Sequence, residues 1–309
     1  GSTFKPFVYA TAINQLGLSP CDEFPNTPYT IPAGKYFLEE DWTPKNSNEK
    51  YGGLLTLKKA LANSVNVISA NLIDQTTPQN VVRMAENLGI EADLLPVPSI
   101  ALGTVDLSLY EMVGALNTFA NKGMYIKPMM ILRIEDKNGT ILQEFTPETR
   151  EVLSESIAYA TVNLMEGVVK YGSGIRLRTT GGKYPDNIVT GYPYKFDNPI
   201  AGKTGTTQNQ SDGWFIGMVP NLSTGVWVGA EDRSVHFVDL TRGQGASMAL
   251  PIWALFMKKN YEDETLGISQ EEFERPENLT INVDCDKEVD SEEEKLLKKK
   301  PDPNEVIDF

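Results

Sequence analysis

Histidine is almost missing from this sequence. A single residue, His236, stands among 309, so a histidine-built metal site cannot form; it lies in a polar, loop-like stretch and reads as a surface or core histidine, which leaves the chemistry to another base. Cysteine is nearly as scarce. Cys21 and Cys285 lie far apart with no metal-ligand spacing, which reads as two incidental residues, with a long-range disulfide as the alternative. Long apolar runs are missing as well. The longest, Ala249 to Met257, is nine residues, against the ~20 that a bilayer-spanning helix needs. The N-terminus shows no succession of basic, apolar and small residues, so no signal peptide is expected. There is no basic stripe with interleaved aromatics, which argues against nucleic acid as a partner. The net charge of -14 is unevenly spread: residues 261–309 hold 17 Asp plus Glu against 6 Lys plus Arg, and the rest is close to neutral.

What is present is an ordered series of periodic segments. Residues 2–16 keep a helical period through Phe4, Phe7, Val8, Ala12 and Leu16, closed by Gly17. A long Pro-, Asn- and Gly-rich stretch follows over 18–53. Further helices are predicted over 54–62, over 77–89 from a Thr-Pro start, over 106–122 and over 154–170. Strands at 129–135 and 141–145 flank Asn138-Gly139, a strong hairpin signal. Residues 200–231 hold three strand-like runs, IAGKTGTT, GWFIGMVP and GVWVGAE, separated by polar turns, which predicts an antiparallel meander. A last helix is expected over 250–259. Glu- and Lys-rich chain follows with no period, interrupted by LTINV at 279–283, a possible short strand. The fold class is α+β: a helical block inserted before an antiparallel sheet.

Three short stretches carry candidate chemistry. In Ser2-Thr3-Phe4-Lys5 the serine and lysine are three apart, and on a helix they share a face. A serine hydroxyl needs a neighbouring base, and a lysine serves when burial and nearby cations lower its pKa. A serine at a helix N-terminus also offers a free backbone N–H and the positive end of the macrodipole to an oxyanion. Ser64-Val65-Asn66 places a second hydroxyl as a proton relay, and Asn66 as a partner for Lys5 and for a substrate amide; read alone it is a polar helix cap. In Lys203-Thr204-Gly205-Thr206-Thr207, strand alternation puts Thr204 and Thr206 on one face, where two hydroxyls can hold a carboxylate. Gly205 lets a ligand backbone approach closely. Lys203 supplies positive charge.

S-x-x-K, S-x-N and K-T-G in this order form a serine acyl-transfer signature. The chain resembles the transpeptidase domain of penicillin-binding proteins, within the penicillin-recognising serine enzymes. The likeness extends through WTPKN at 42–46, GLLTLKKALANSVNVISANL at 53–72, PSIALGTVDLSLYEMVGALNTFANKG at 98–123 and KTGTTQNQSDGWFIGMVP at 203–220. KTGTT, Trp214 and FERPENL at 273–279 resemble the bifunctional class A enzymes most.

The resemblance implies an α+β, β-lactamase/transpeptidase-like fold, in the family a five-stranded antiparallel sheet flanked by helices with an all-helical subdomain; residues 1–260 are expected to be that domain without its first strands, with 261–309 as a largely flexible acidic extension holding a possible short strand near 279–283. It implies Ser2 as the nucleophile toward D-Ala-D-Ala stem peptides, Lys5 as its base, Ser64 with Lys203 as the pair that passes a proton to the departing D-Ala, and Asn66 as a further catalytic residue. The backbone N–H groups of Ser2 and Thr206 are the implied oxyanion hole. Thr204, Gly205, Thr206 and Thr207 are the implied substrate-binding residues, with β-lactams as mimics of the donor. No cofactor or metal is implied. The parent is expected to be membrane-anchored, extracytoplasmic on the outer face of the bacterial cytoplasmic membrane (periplasm), and also a glycosyltransferase. In the family, strands precede the nucleophile, so the chain reads as N-terminally truncated, and poor activity of the chain alone is expected. Rival readings use the same residues. A D,D-carboxypeptidase takes water as acceptor, and a β-lactam-binding sensor or inactive scaffold does not turn over. A β-lactamase is disfavoured: no Glu between Ser64 and Lys203 has Asn four residues later, and Asn66 stands where another lactamase class carries Val.

Overall fold

The computed structural model describes residues 1–179 and 192–285. A 3-10 turn at Ser2–Phe4 runs into α1 (Lys5–Leu16), which Gly17 ends in the left-handed conformation. The chain continues through β1 (Glu23–Pro25), β2 (Leu54–Thr56), α2 (Leu57–Ala62), α3 (Asn66–Thr76), α4 (Pro78–Asn87), α5 (Leu109–Ala120) and β3 (Met124–Ile126). Next come β4 (Arg133–Glu135), β5 (Ile141–Glu144), β6 (Thr149–Glu151) and α6 (Glu155–Lys170). The last group is β7 (Ala201–Thr206), β8 (Asp212–Val219), β9 (Leu222–Gly229), the short α7 (Leu240–Gly243) and α8 (Gly245–Glu262).

The expected meander is the main sheet, antiparallel in the order β7-β8-β9. Strand parity sorts its side chains into two cores. Ala201, Ile216 and Met218 face the helical block and join its core. Phe215 and Val219 face the other way and pack with Trp253 of α8; the Phe215 and Trp253 rings meet edge to face at 5.1 Å. Gly217 keeps that face thin, since a Cβ there would lie 2.6 Å from the Trp253 ring. α1 is buried from Lys5 to Ile13, on every side. It contacts α2, α3, α4 and α6 and so forms the axis of the helical block. Ser108 and Glu111 form a capping box that starts α5, and Ser154 caps α6.

Several expectations need correcting. The segment 54–62 is a strand and then a helix, because Thr56 accepts from the Lys59 N–H and caps α2 there. Residues 66–76 form α3, a helix that the polar Ser64-Asn66 stretch concealed. Among the described residues the main sheet has the three strands of the expected meander; β1–β2, β3–β6 and β4–β5 are separate two-stranded ladders. LTINV pairs with no strand among the described residues. Its Leu279, Ile281 and Val283 instead pack against the helical core, as does Phe273, so residues 263–285 are held to the body rather than loose. Their charge count hid an alternating apolar stripe. The remainder of the acidic extension, 286–309, lies outside the described residues.

Cys21 and Cys285 are not incidental: they close a disulfide, with a Cα–Cα distance of 4.9 Å. Spacing could not reveal it, because 264 residues separate them. His236 lies in an exposed loop. A crosslink closing so long a loop is worth about 2–4 kcal/mol, so Cys285→Ser is expected to lower the melting temperature by roughly 4–10 °C. Thermal unfolding followed by circular dichroism checks this; an unchanged midpoint would mean that apolar packing alone holds the 263–285 segment.

Candidate active site

The site is built where α1, the turn after α2, and the edge strand β7 meet. α2 stops at Asn63, and Ser64 follows with φ 56°, in the left-handed region that favours glycine. The Ser64 and Val65 N–H groups donate to Leu61 O and Ala60 O, closing the helix end. A non-glycine residue there costs on the order of 1 kcal/mol. α3 begins immediately after, and Asn46 caps it: its Oδ1 accepts from the Asn66 and Val67 N–H groups at 3.0 and 3.3 Å. Asn66 Nδ2 donates to Lys45 O at 2.7 Å.

Two lysines converge on Ser64. Lys5 Nζ donates to Ser64 O at 2.6 Å, to Asn66 Oδ1 at 2.6 Å and to Ser64 Oγ at 3.2 Å. Lys203 Nζ donates to Ser64 Oγ at 3.0 Å and to Thr204 O at 2.9 Å. Both side chains are 0 % exposed. Burial, and then the neighbouring Lys203 charge, hold the Lys5 amine well below the usual lysine range. Burial alone lowers Lys203 to about 7. A neutral amine at Lys5 beside a cation at Lys203 is therefore accessible near neutrality. Ser64 O and Asn66 Oδ1 can only accept, so they orient two N–H bonds of Lys5 and leave its remaining valence for a hydroxyl. Among the described residues no hydrogen bond joins Lys5 to the Ser2 hydroxyl.

β7 supplies the opposite wall. In its register with β8, Lys203 pairs with Ile216 and faces the helical block, while Thr204 and Thr206 pair with Phe215 and Gly213 and share the other face, as alternation predicts. Thr206 Oγ1 accepts from the Gly245 N–H at 3.1 Å, and Thr204 Oγ1 lies 2.6 Å from Ser173 Oγ. Each hydroxyl retains hydrogen-bonding capacity. The Thr207 N–H donates to Asp212 O, so the antiparallel pattern turns the Thr206 N–H away from β8, toward the sheet edge. Ser2 lies at that edge: a side chain at position 1 would meet the Thr206 backbone at 3.3 Å.

Two assignments change in character. Gly205 makes room for protein, because a Cβ there would lie 3.0 Å from Thr3 Cγ2, in the turn that carries Ser2. The Thr207 hydroxyl is engaged in the β7–β8 turn with Ser211 and Asp212. Reading the sequence missed Asn46 and Ser173. Neither has a local signal, since each acts on a residue distant in the chain. A cavity of about 510 Å³ bordered by Thr3, Asp106, Asp212, Trp214 and Trp227 does not include Lys5, Ser64 or Lys203 in its lining. Gly1 and Thr207 also line it, so it opens beside the turn that carries Ser2 and the end of β7. No group of three or more potential metal ligands occurs among the described residues.

The profile of the penicillin binding protein transpeptidase domain matches residues 1–232. Penicillin-binding protein 1A of Aquifex aeolicus is 35% identical over 286 residues, 92% of this chain and 35% of that protein. Its counterpart from Clostridium tetani is 30% identical, over 93% of this chain and 36% of that protein. The chain thus spans about a third of these relatives' length. The crystal structure of penicillin-binding protein 1A from Haemophilus influenzae superposes with a TM-score of 0.75 at 25% identity, covering 90% of this chain and 43% of that one. The PonA1 protein of Mycobacterium tuberculosis in complex with penicillin V superposes with a TM-score of 0.72 at 24% identity, over 89% of this chain and 71% of that one. With the three motifs assembled at one site and this profile over most of its length, the chain belongs to the penicillin-binding protein transpeptidase family, on its class A branch.

Proposed function

We propose that the chain is a D,D-transpeptidase that crosslinks peptidoglycan stem peptides through a serine acyl-enzyme. The observation that carries this reading is Ser64 Oγ within hydrogen-bond reach of two fully buried lysines, Lys5 and Lys203. This is a proton relay with no histidine.

In this reading Ser2 Oγ attacks the carbonyl carbon of the penultimate D-Ala, and its proton passes to neutral Lys5. The N–H groups of Ser2 and Thr206 hold the oxyanion. The C–N bond then breaks. Ser64 gives its proton to the departing D-Ala nitrogen and is reprotonated through the lysine pair. Thr204 and Thr206 bind the terminal carboxylate, drawn by the Lys203 charge. Asn66 orients Lys5 and offers its amide to the donor peptide. An amine of a neighbouring strand next attacks the ester, forms the new amide and returns the proton to Ser2. A β-lactam enters as the donor does and remains as an ester. For the whole protein we infer a glycosyltransferase partner domain, a membrane anchor and a location outside the cytoplasmic membrane, where the substrate lies. Among the described residues no helix is long and apolar enough to cross a membrane.

Incubation with a penicillin should add the mass of one antibiotic to the wild type and none to Ser2→Ala. An adduct on Ser2→Ala would place the nucleophile elsewhere. Ser64→Ala should slow acylation roughly a hundredfold or more without abolishing the fold. The pH dependence has a definite sign. Acylation rises as Lys5 loses its proton, and falls as pH climbs through about 7, where Lys203 loses its charge. Second-order acylation rates between pH 5 and 10 check this, and Lys203→Arg, charged throughout, should move the alkaline limb upward. A limb that stays in place would remove the charge of Lys203 from the mechanism.

A further inference from the structure

Ser173 joins two walls of the cleft that the sequence keeps far apart. It follows α6 in Tyr171-Gly172-Ser173-Gly174. Its N–H donates to Ala62 O at 2.9 Å, at the end of the helix that leads into Ser64. Gly172 permits this approach, because a Cβ there would lie 2.2 Å from Ala62 O. The Gly174 N–H folds back onto Val168 O at 2.8 Å, and the Ile175 N–H reaches Gly172 O at 3.1 Å. Arg176 ties the same loop to α8 through Ala246 O and Ser247 Oγ, at 3.0 and 2.8 Å. The backbone of Ser173 is thus held from several sides, and its hydroxyl lies 2.6 Å from Thr204 Oγ1.

We propose that Ser173 is a positioning residue for carboxylate recognition: its hydroxyl donates to Thr204 Oγ1 and so leaves the Thr204 proton free to point at the terminal carboxylate of the donor. The inference rests on the acyl-transfer reading above. A threonine hydroxyl has one proton and can rotate. With Ser173 as donor, the Thr204 oxygen is an acceptor on the protein side and a donor on the cleft side. Without Ser173, that proton is free to turn to other acceptors, and the anion loses a preorganised partner. A hydrogen bond to a charged acceptor is worth more than a neutral one. The effect should therefore be confined to ligands that carry the carboxylate.

The test compares acylation by a penicillin with a free ring carboxylate and by its methyl ester, in the wild type, Ser173→Ala and Ser173→Thr. We expect Ser173→Ala to lower the rate with the free acid about tenfold and to leave the ester rate unchanged. Ser173→Thr should keep the wild-type preference. In a Thr204→Val background, Ser173→Ala should have no further effect. Ser173→Cys, close in size with a weaker donor, should fall between the wild type and Ser173→Ala, and serves if Ser173→Ala does not fold. An equal loss with acid and ester would make Ser173 purely structural and overturn the proposal, as would no loss with either. Wild-type protein that neither compound acylates would overturn the transpeptidase reading, and this one with it. Acylation with an unchanged preference in Ser173→Ala overturns this one alone.

Discussion

Two lysine side chains without solvent contact meet at one serine hydroxyl, and the rest of the site is arranged around that demand. Removing an ammonium ion from water costs several kcal/mol even after relaxation, and two of them near one oxygen also repel. The fold answers with acceptors placed around each amine. Ser64 O and Asn66 Oδ1 surround Lys5, and Thr204 O takes a bond from Lys203. The answer is incomplete, and both lysines are left with lowered pKa values. In the proposed acyl transfer that deficit is what suits them to proton transfer. α1 is buried on every side from Lys5 onward, so the Lys5 amine has no route back to water.

The sheet separates the buried lysine from the threonine hydroxyls by parity. Lys203 belongs to the face shared with the helical core, whereas Thr204 and Thr206 belong to the face shared with α8. One strand therefore sends charge inward and hydroxyls outward, with its unpaired N–H at the edge. Glycines bring the layers close enough for this to work. Gly205 admits the turn that carries Ser2, and Gly217 admits Trp253. The helices then lie close enough for their side chains to reach across the sheet edge.

Much of this was legible in the chain. The helical period of 2–16, the Asn138-Gly139 hairpin and the three-strand meander are local patterns, and each appears where its residues place it. The motif spacings named Ser64, Asn66 and Lys203 before any fold was known, and the structure brings them to Lys5. The helix over 66–76 was concealed because its cap, Asn46, lies twenty positions earlier. The engagement of Thr207 with Asp212 was not legible, because it depends on how the β7–β8 turn closes.

The sequence by itself determined the periods of the elements, the faces of β7, the scarcity of histidine, and the residue types available for a lysine-serine relay. These are properties of neighbours along the chain, set by backbone geometry and side-chain chemistry. Only the tertiary structure decided that Lys5 and Lys203 share one hydroxyl, that Ser173 reaches Thr204, that Cys21 bonds Cys285, and that part of an acidic tail is bound to the core. Each depends on groups brought together by burying apolar surface elsewhere, and no local pattern records which distant partner that burial will deliver.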